Sequence, residues 1–143
     1  MRLPCLRTLF ELTSRHGKGP VSVSEIATNQ AIPQRFLELI VKELREAGIV
    51  HSHRGAKGGY TLAGDPKDLA VGRIVRLLDG PLNPMDCTSC GGDRQCPLHK
   101  DCVFFELWRQ AEAVLGVLYD SVTFADLSSR RIAAEDGLAI AAT

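Results

Sequence analysis

Three features of the sequence predict a mainly α fold with a small β-hairpin wing. Residues 3–48 read as helix, short helix, turn and longer helix. Residues 49–62 read as strand, glycine-rich loop and strand. Residues 103–120 read as a long helix carrying an apolar stripe. Together they describe a winged helix-turn-helix module followed by a long dimerisation helix. The expected divisions are 1–66 for the winged module, 67–128 for an irregular loop with the long helix, and 129–143 for a flexible tail.

The elements follow in order. Leu3, Leu6, Leu9, Phe10 and Thr13 recur at helical spacing, and Gly17 ends the run. After Lys18-Gly19-Pro20, Ser22 or Ser24 can cap a brief helix whose apolar face is Val23, Ile26 and Ala27. Thr28-Asn29-Gln30 is expected to turn. Ile32-Pro33 opens a third helix, because a proline there gives up no needed N–H; Gly48 closes it. In a helix-turn-helix the second helix of the pair lies in the major groove, so its exposed early residues Gln34, Arg35 and Glu38 are candidate base readers. A purely structural helical hairpin fits the same pattern.

Ile49 to His53 and Tyr60 to Leu62 have extended character, joined by Arg54-Gly55-Ala56-Lys57-Gly58-Gly59. Arg54 and Lys57 suit phosphates or a narrow minor groove, and glycines such as Gly58 let the backbone approach a partner closely. A nucleotide-binding loop fits poorly, since no GK[ST] follows and no helix starts after the glycines. Gly64-Asp65-Pro66 turns the chain into a helix over about residues 71–78. Residues 81–102 read as irregular. The long helix then carries Phe104, Leu107, Trp108, Ala111, Val114, Leu115 and Leu118, a stripe for a second copy or for its own domain. Thr123 caps a last helical turn through Leu127.

Composition narrows the function. The chain has 143 residues, 45% apolar and 24% charged, enough to bury a core and too apolar for disorder. No run of about 18 apolar residues exists, so no membrane partner is expected, and no signal peptide is legible, which predicts a cytoplasmic protein. The zero net charge hides an asymmetry. Residues 1–60 hold nine Lys or Arg against five acids, whereas 61–143 hold eight against twelve. The basic half suits a polyanion, and double-stranded DNA is the expected partner. No nucleophile, base and orienting group form a recognisable set, so an enzyme is the weakest reading.

Four of the five cysteines, Cys87, Cys90, Cys96 and Cys102, fall within sixteen residues. An odd count without a secretory signal argues for a metal or redox site rather than a disulfide framework. Clustered thiolates suit Zn²⁺ or an iron–sulfur cluster; the spacing, one CxxC followed by two five-residue gaps, leans away from a zinc ribbon. A thiol–disulfide switch through Cys87 and Cys90 also fits. Cys5, in the first helix, reads as a core residue.

These stretches resemble the bacterial winged-helix iron–sulfur regulators, the IscR, NsrR and RirA group with CymR as a relative. The resemblance spans about residues 6–128. Its most specific parts are the wing Arg54-Gly55-Ala56-Lys57-Gly58-Gly59-Tyr60 and the Cys90, Cys96, Cys102 triplet. Ile32-Pro33, Phe36-Leu37-Glu38, Leu107-Trp108 and Thr123-Phe124-Ala125-Asp126-Leu127 support it. The resemblance implies a homodimeric transcription factor, a repressor in form, whose affinity for operator DNA follows a bound cluster. It implies Cys90, Cys96 and Cys102 as three ligands. One branch of the group uses a histidine three residues after the third cysteine; Phe105 stands there in this chain. Cys87 is then the local fourth ligand and the partner's Cys5 the outside one. Four thiolates favour a [4Fe–4S] cluster, with [2Fe–2S] the alternative. A zinc-based or thiol-based regulator without iron is the competing reading.

Overall fold

The computed structural model describes residues 2–82 and 102–132. Its elements run α1 (Arg2–Ser14), α2 (Val23–Gln30), α3 (Gln34–Glu46), β1 (Val50–His53), β2 (Gly59–Leu62), α4 (Val71–Asp79), α5 (Phe105–Ser121) and α6 (Phe124–Ser128). The mainly helical fold with one antiparallel hairpin is the one the sequence predicts.

Helix α1 buries Cys5, Leu9 and Leu12. Pro4 sits in its first turn, where a missing N–H breaks no helical hydrogen bond. Helix α2 starts at Ser22, whose hydroxyl accepts from the Glu25 N–H at 3.2 Å. Sequence placed a turn at Thr28-Asn29-Gln30; the helix instead continues through Gln30, and the turn falls on Ala31 in the left-handed region (φ 51°). The cause is tertiary. Glu11 of α1, only 7% exposed, accepts from Asn29 Nδ2 at 2.9 Å and from Gln30 Nε2 at 2.7 Å. Those two bonds hold the last residues of α2 against α1, and the chain reverses one residue later. Pro33 then precedes α3, which buries Leu37, Ile40, Val41 and Leu44. These side chains share one core with Leu9, Ile26, Val50, Ile74 and Phe124.

The hairpin pairs Val50 with Leu62, His51 with Thr61, Ser52 with Tyr60 and His53 with Gly59, and the first pair is buried. A one-residue bridge extends it. Val21 and Tyr60 exchange backbone hydrogen bonds of 3.0 and 2.8 Å, so the wing is tied to the residues entering α2. Glycine is required beside that bridge, since a Cβ on Gly59 would overlap the Val21 carbonyl.

Helix α4 leads to α5 by way of residues outside the described part. The two helices meet again at the far end of α5. Arg76 donates from both terminal nitrogens to the Asp120 carboxylate, at 2.6 and 2.8 Å. Gly72 faces the same carboxylate, and a Cβ there would strike Asp120 Oδ1. The chain then returns to the core. The Val71 N–H donates to Val122 O, and the Phe124 N–H to Leu69 O. Thr123 and Asp126 form a capping box that starts α6, and Phe124 is fully buried beneath it. Among the described residues no helix is long and apolar enough to cross a membrane.

Two predictions follow from these contacts. Gly59→Ala must displace backbone, which costs about 2 kcal/mol on the scale of overpacked sites. Urea denaturation should show a lower midpoint at an unchanged slope; an unchanged midpoint would mean that the bridge tolerates a side chain. The second concerns pH. The hydrogen bonds from Arg76 hold the Asp120 carboxyl below its ordinary value. A depressed folded-state pKa adds stability above the unfolded value, about 3.9, and loses it as pH falls through the folded one. The stability advantage of wild type over Asp120→Asn should therefore be small, since the pair is solvent-screened, and should shrink as pH drops from about 6 toward 3. A difference that stays constant with pH would place the effect elsewhere.

Candidate nucleic-acid interface and cysteine loop

Helix α3 has two unlike sides. With 100° per residue, Leu37, Ile40, Val41 and Leu44 cluster on the buried side. Gln34, Arg35, Glu38, Leu39 and Lys42 are exposed. The three base readers expected from sequence thus all stand in solvent in the first turn and a half. Gln34 Nε2 donates to Glu38 Oε1 at 3.5 Å, a bond at the edge of useful geometry that leaves both groups available. Lys42 lies 3.9 Å from Glu46, a loose surface pair.

The wing carries two cations at its tip. Arg54 and Lys57 are exposed at the tip. Gly58 plays a different part from theirs. It is half-buried, its N–H donates to Gly55 O at 3.0 Å, and a Cβ on it would overlap the carbonyl oxygens of His53 and Gly55. Gly58 shapes the tip that carries Arg54 and Lys57. On β1, His51 and His53 point to solvent, and His53 Nε2 pairs with Thr61 Oγ1 at 2.9 Å.

Sequence reasoning missed the residues that position this surface. Glu11 reads as an ordinary helix acid, yet it lies three residues after Thr8 on the buried side of α1 and holds the end of α2. That spacing was the available signal. Leu39 and Lys42 were also passed over; both follow Arg35 at steps of four and seven, the spacing of one helix face.

Of the cysteines, Cys87, Cys90 and Cys96 lie outside the described residues. Cys102 is half-buried with a free thiol, and its carbonyl accepts from the Phe105 N–H at 3.1 Å, at the entrance to α5. The thiol therefore sits three residues ahead of α5. Cys5 is 1% exposed in the core, and burial there pushes its pKa up to about 12. A thiol that resists ionisation and lacks solvent access is unsuited to ligate a metal across a dimer, so the structure supports the core reading of Cys5. Among the described residues no group of three or more His, Cys, Asp and Glu could hold a metal ion.

Helix α5 does not finish a core of its own. None of its residues is fully buried. Leu107, Val114 and Val117 are 53%, 41% and 60% exposed, with Val103 and Phe104 exposed just ahead of them. Within the described chain its main neighbour is α4.

Comparisons with known proteins agree with this architecture. A profile of the Rrf2 family, described as an iron-dependent transcriptional regulator, matches residues 4–130. The HTH-type transcriptional regulator CymR of Bacillus subtilis is 36% identical over 124 residues, covering 87% of this chain and 83% of its own. Its solved structure, described as that of the global cysteine regulator of B. subtilis, superposes with a TM-score of 0.71 at 34% identity, covering 88% of this chain and 91% of that one. The structure of IscR from T. potens gives the same TM-score of 0.71 and 34% identity, covering 88% and 81%. With α1 to α3 and the wing laid out as a winged helix-turn-helix and nearly the whole chain matched, this chain belongs to the Rrf2 family of DNA-binding transcriptional regulators.

Proposed function

We propose that the chain is a homodimeric repressor that holds operator DNA with α3 and the wing, and that its grip is set by an iron–sulfur cluster held by the cysteines of residues 87–102. Gln34, Arg35 and Glu38 read base edges; a carboxylate such as that of Glu38 can accept from cytosine N4, and Arg35 serves guanine or a phosphate. Arg54 and Lys57 hold backbone or minor groove, and Gly58 keeps the tip narrow. Cys90, Cys96 and Cys102 hold the cluster with Cys87 as fourth ligand. Four thiolates favour [4Fe–4S], and [2Fe–2S] uses the same donors.

The observation that carries the reading is the place of the cysteine cluster in the sequence. It falls between the end of α4 and the start of α5, and Cys102 is at that start. Helix α5 rests mainly on α4 and exposes an apolar stripe suited to a second copy. When bound, an iron–sulfur centre supplies an inorganic crosslink between sulfurs. Through Cys102, the chain would pass that constraint to α5, and through the dimer to the distance between two α3 helices. Adjacent major grooves require about 34–36 Å between such helices. A coupling of about 1–3 kcal/mol is enough to switch occupancy.

The likeness to CymR, a cysteine regulator by description, supports a second reading in which the same cysteines act as thiols or hold zinc without iron. One experiment separates the two. Protein purified without oxygen should be brown, with visible absorption and matching iron and acid-labile sulfide, and Cys90→Ser, Cys96→Ser or Cys102→Ser should each bleach it by at least about tenfold in bound iron. A colourless, iron-free protein that still binds its duplex would contradict the cluster and favour the second reading.

A further inference from the structure

We infer that Leu39 is a specificity residue that reads the 5-methyl group of a thymine in the operator. The inference rests on the proposal that α3 enters a major groove, and it adds a residue and a ligand group to it.

Leu39 is 63% exposed, and no other large apolar residue of α3 is exposed to that degree. A lone exposed leucine is ordinary on a protein surface. Its position here is what matters. Helical steps of four and three place Leu39 between Arg35 and Lys42, at the middle of the face opposite Leu37, Ile40, Val41 and Leu44. The fold does not use it, since the core closes on the other side. Its neighbours along that face are mostly charged: Arg35, Lys42, Glu43 and, two turns on, Glu46, while Phe36 beside it is half-buried against the core. An apolar protein partner would find one aliphatic side chain amid four charges, a poor patch to dock on. A duplex presents the complementary pattern, with phosphates for the cations, polar base edges, and one kind of apolar group in the major groove, the thymine methyl. A branched four-carbon side chain in the centre of a groove-facing helix fits that methyl. Covering a single methyl is worth about fourfold in affinity.

The test uses the full-length chain, purified without oxygen, and a duplex enriched by it from a random pool. Each thymine of that duplex is replaced singly by deoxyuridine, which lacks only the methyl. Wild type should lose about fourfold in affinity at one thymine per half-site and be indifferent elsewhere. Leu39→Ala should bind the thymine duplex about fourfold more weakly and no longer distinguish thymine from uracil at that position. Leu39→Met, which keeps an apolar reach, should retain most of the distinction. Indifference of wild type at every thymine, or an undiminished thymine preference in Leu39→Ala, would overturn the inference while leaving DNA binding intact. Failure to enrich any duplex would overturn the groove reading of α3, and this inference with it.

Discussion

One-sided burial of α3 is the constraint on which the surface depends. Leu37, Ile40, Val41 and Leu44 are at most 1% exposed and lock the rotation of the helix about its axis. Turning α3 by even a third of a circle would strip several of them from the core, at about 1.5–3 kcal/mol for each large side chain. The outward set of Gln34, Arg35, Glu38, Leu39 and Lys42 is therefore not chosen loop by loop. It is what remains when the core is satisfied. Glu11 sets the neighbouring variable, the end of α2, by accepting from Asn29 and Gln30. A buried carboxylate left without those donors would be costly, so the contact specifies geometry as well as adding stability.

The wing is governed in the same way. Its register buries Val50 and Leu62, and the Val21 bridge fastens it to the entrance of α2. Gly58 and Gly59 do backbone work at the two places where a Cβ cannot fit. Arg54 and Lys57 are free to carry charge because the tip between them is built from main-chain contacts. Beyond the wing, the fold changes character. Helix α4 and α6 bury Ile74 and Phe124 in the same core as α1, whereas α5 stays largely exposed and is pinned at one end by Arg76 and Asp120. Helix α5 is thus held at one end by an ion pair, and Cys102 precedes its other end by three residues.

Much of this was legible in the residues. The order of helices, the wing and the cap at Thr123 follow from local chemistry: a 3.6-residue apolar period, serine and threonine caps, and glycines between two extended runs. The turn after α2 was misplaced by one to three residues because its cause is not local. Asn29 is a weak helix former that local chemistry assigns to a turn, and its bond to Glu11, eighteen residues earlier, ties the end of α2 to α1. Leu39 was overlooked because an apolar residue in a helix is read by default as core; only the direction of the buried face shows it outside. The stripe on α5 was legible as a stripe, but periodicity cannot say whether a face is covered by its own chain. In the monomer Phe104, Leu107 and Val114 of that stripe are exposed, while Trp108, Ala111, Leu115 and Leu118 are half-buried. The cysteine spacing remains a matter of sequence for Cys87, Cys90 and Cys96, and of structure only for Cys102.

The claim that α3 and the wing jointly hold a duplex is tested most directly by the salt dependence of binding. Equilibrium affinity for an enriched duplex should be measured across a series of salt concentrations for wild type and for Arg54→Ala combined with Lys57→Ala. Each cation that neutralises a phosphate contributes about 0.9 to the slope of log affinity against log salt. The account predicts a steep wild-type slope that falls by nearly two in the double variant. Equal slopes for the two proteins would contradict it.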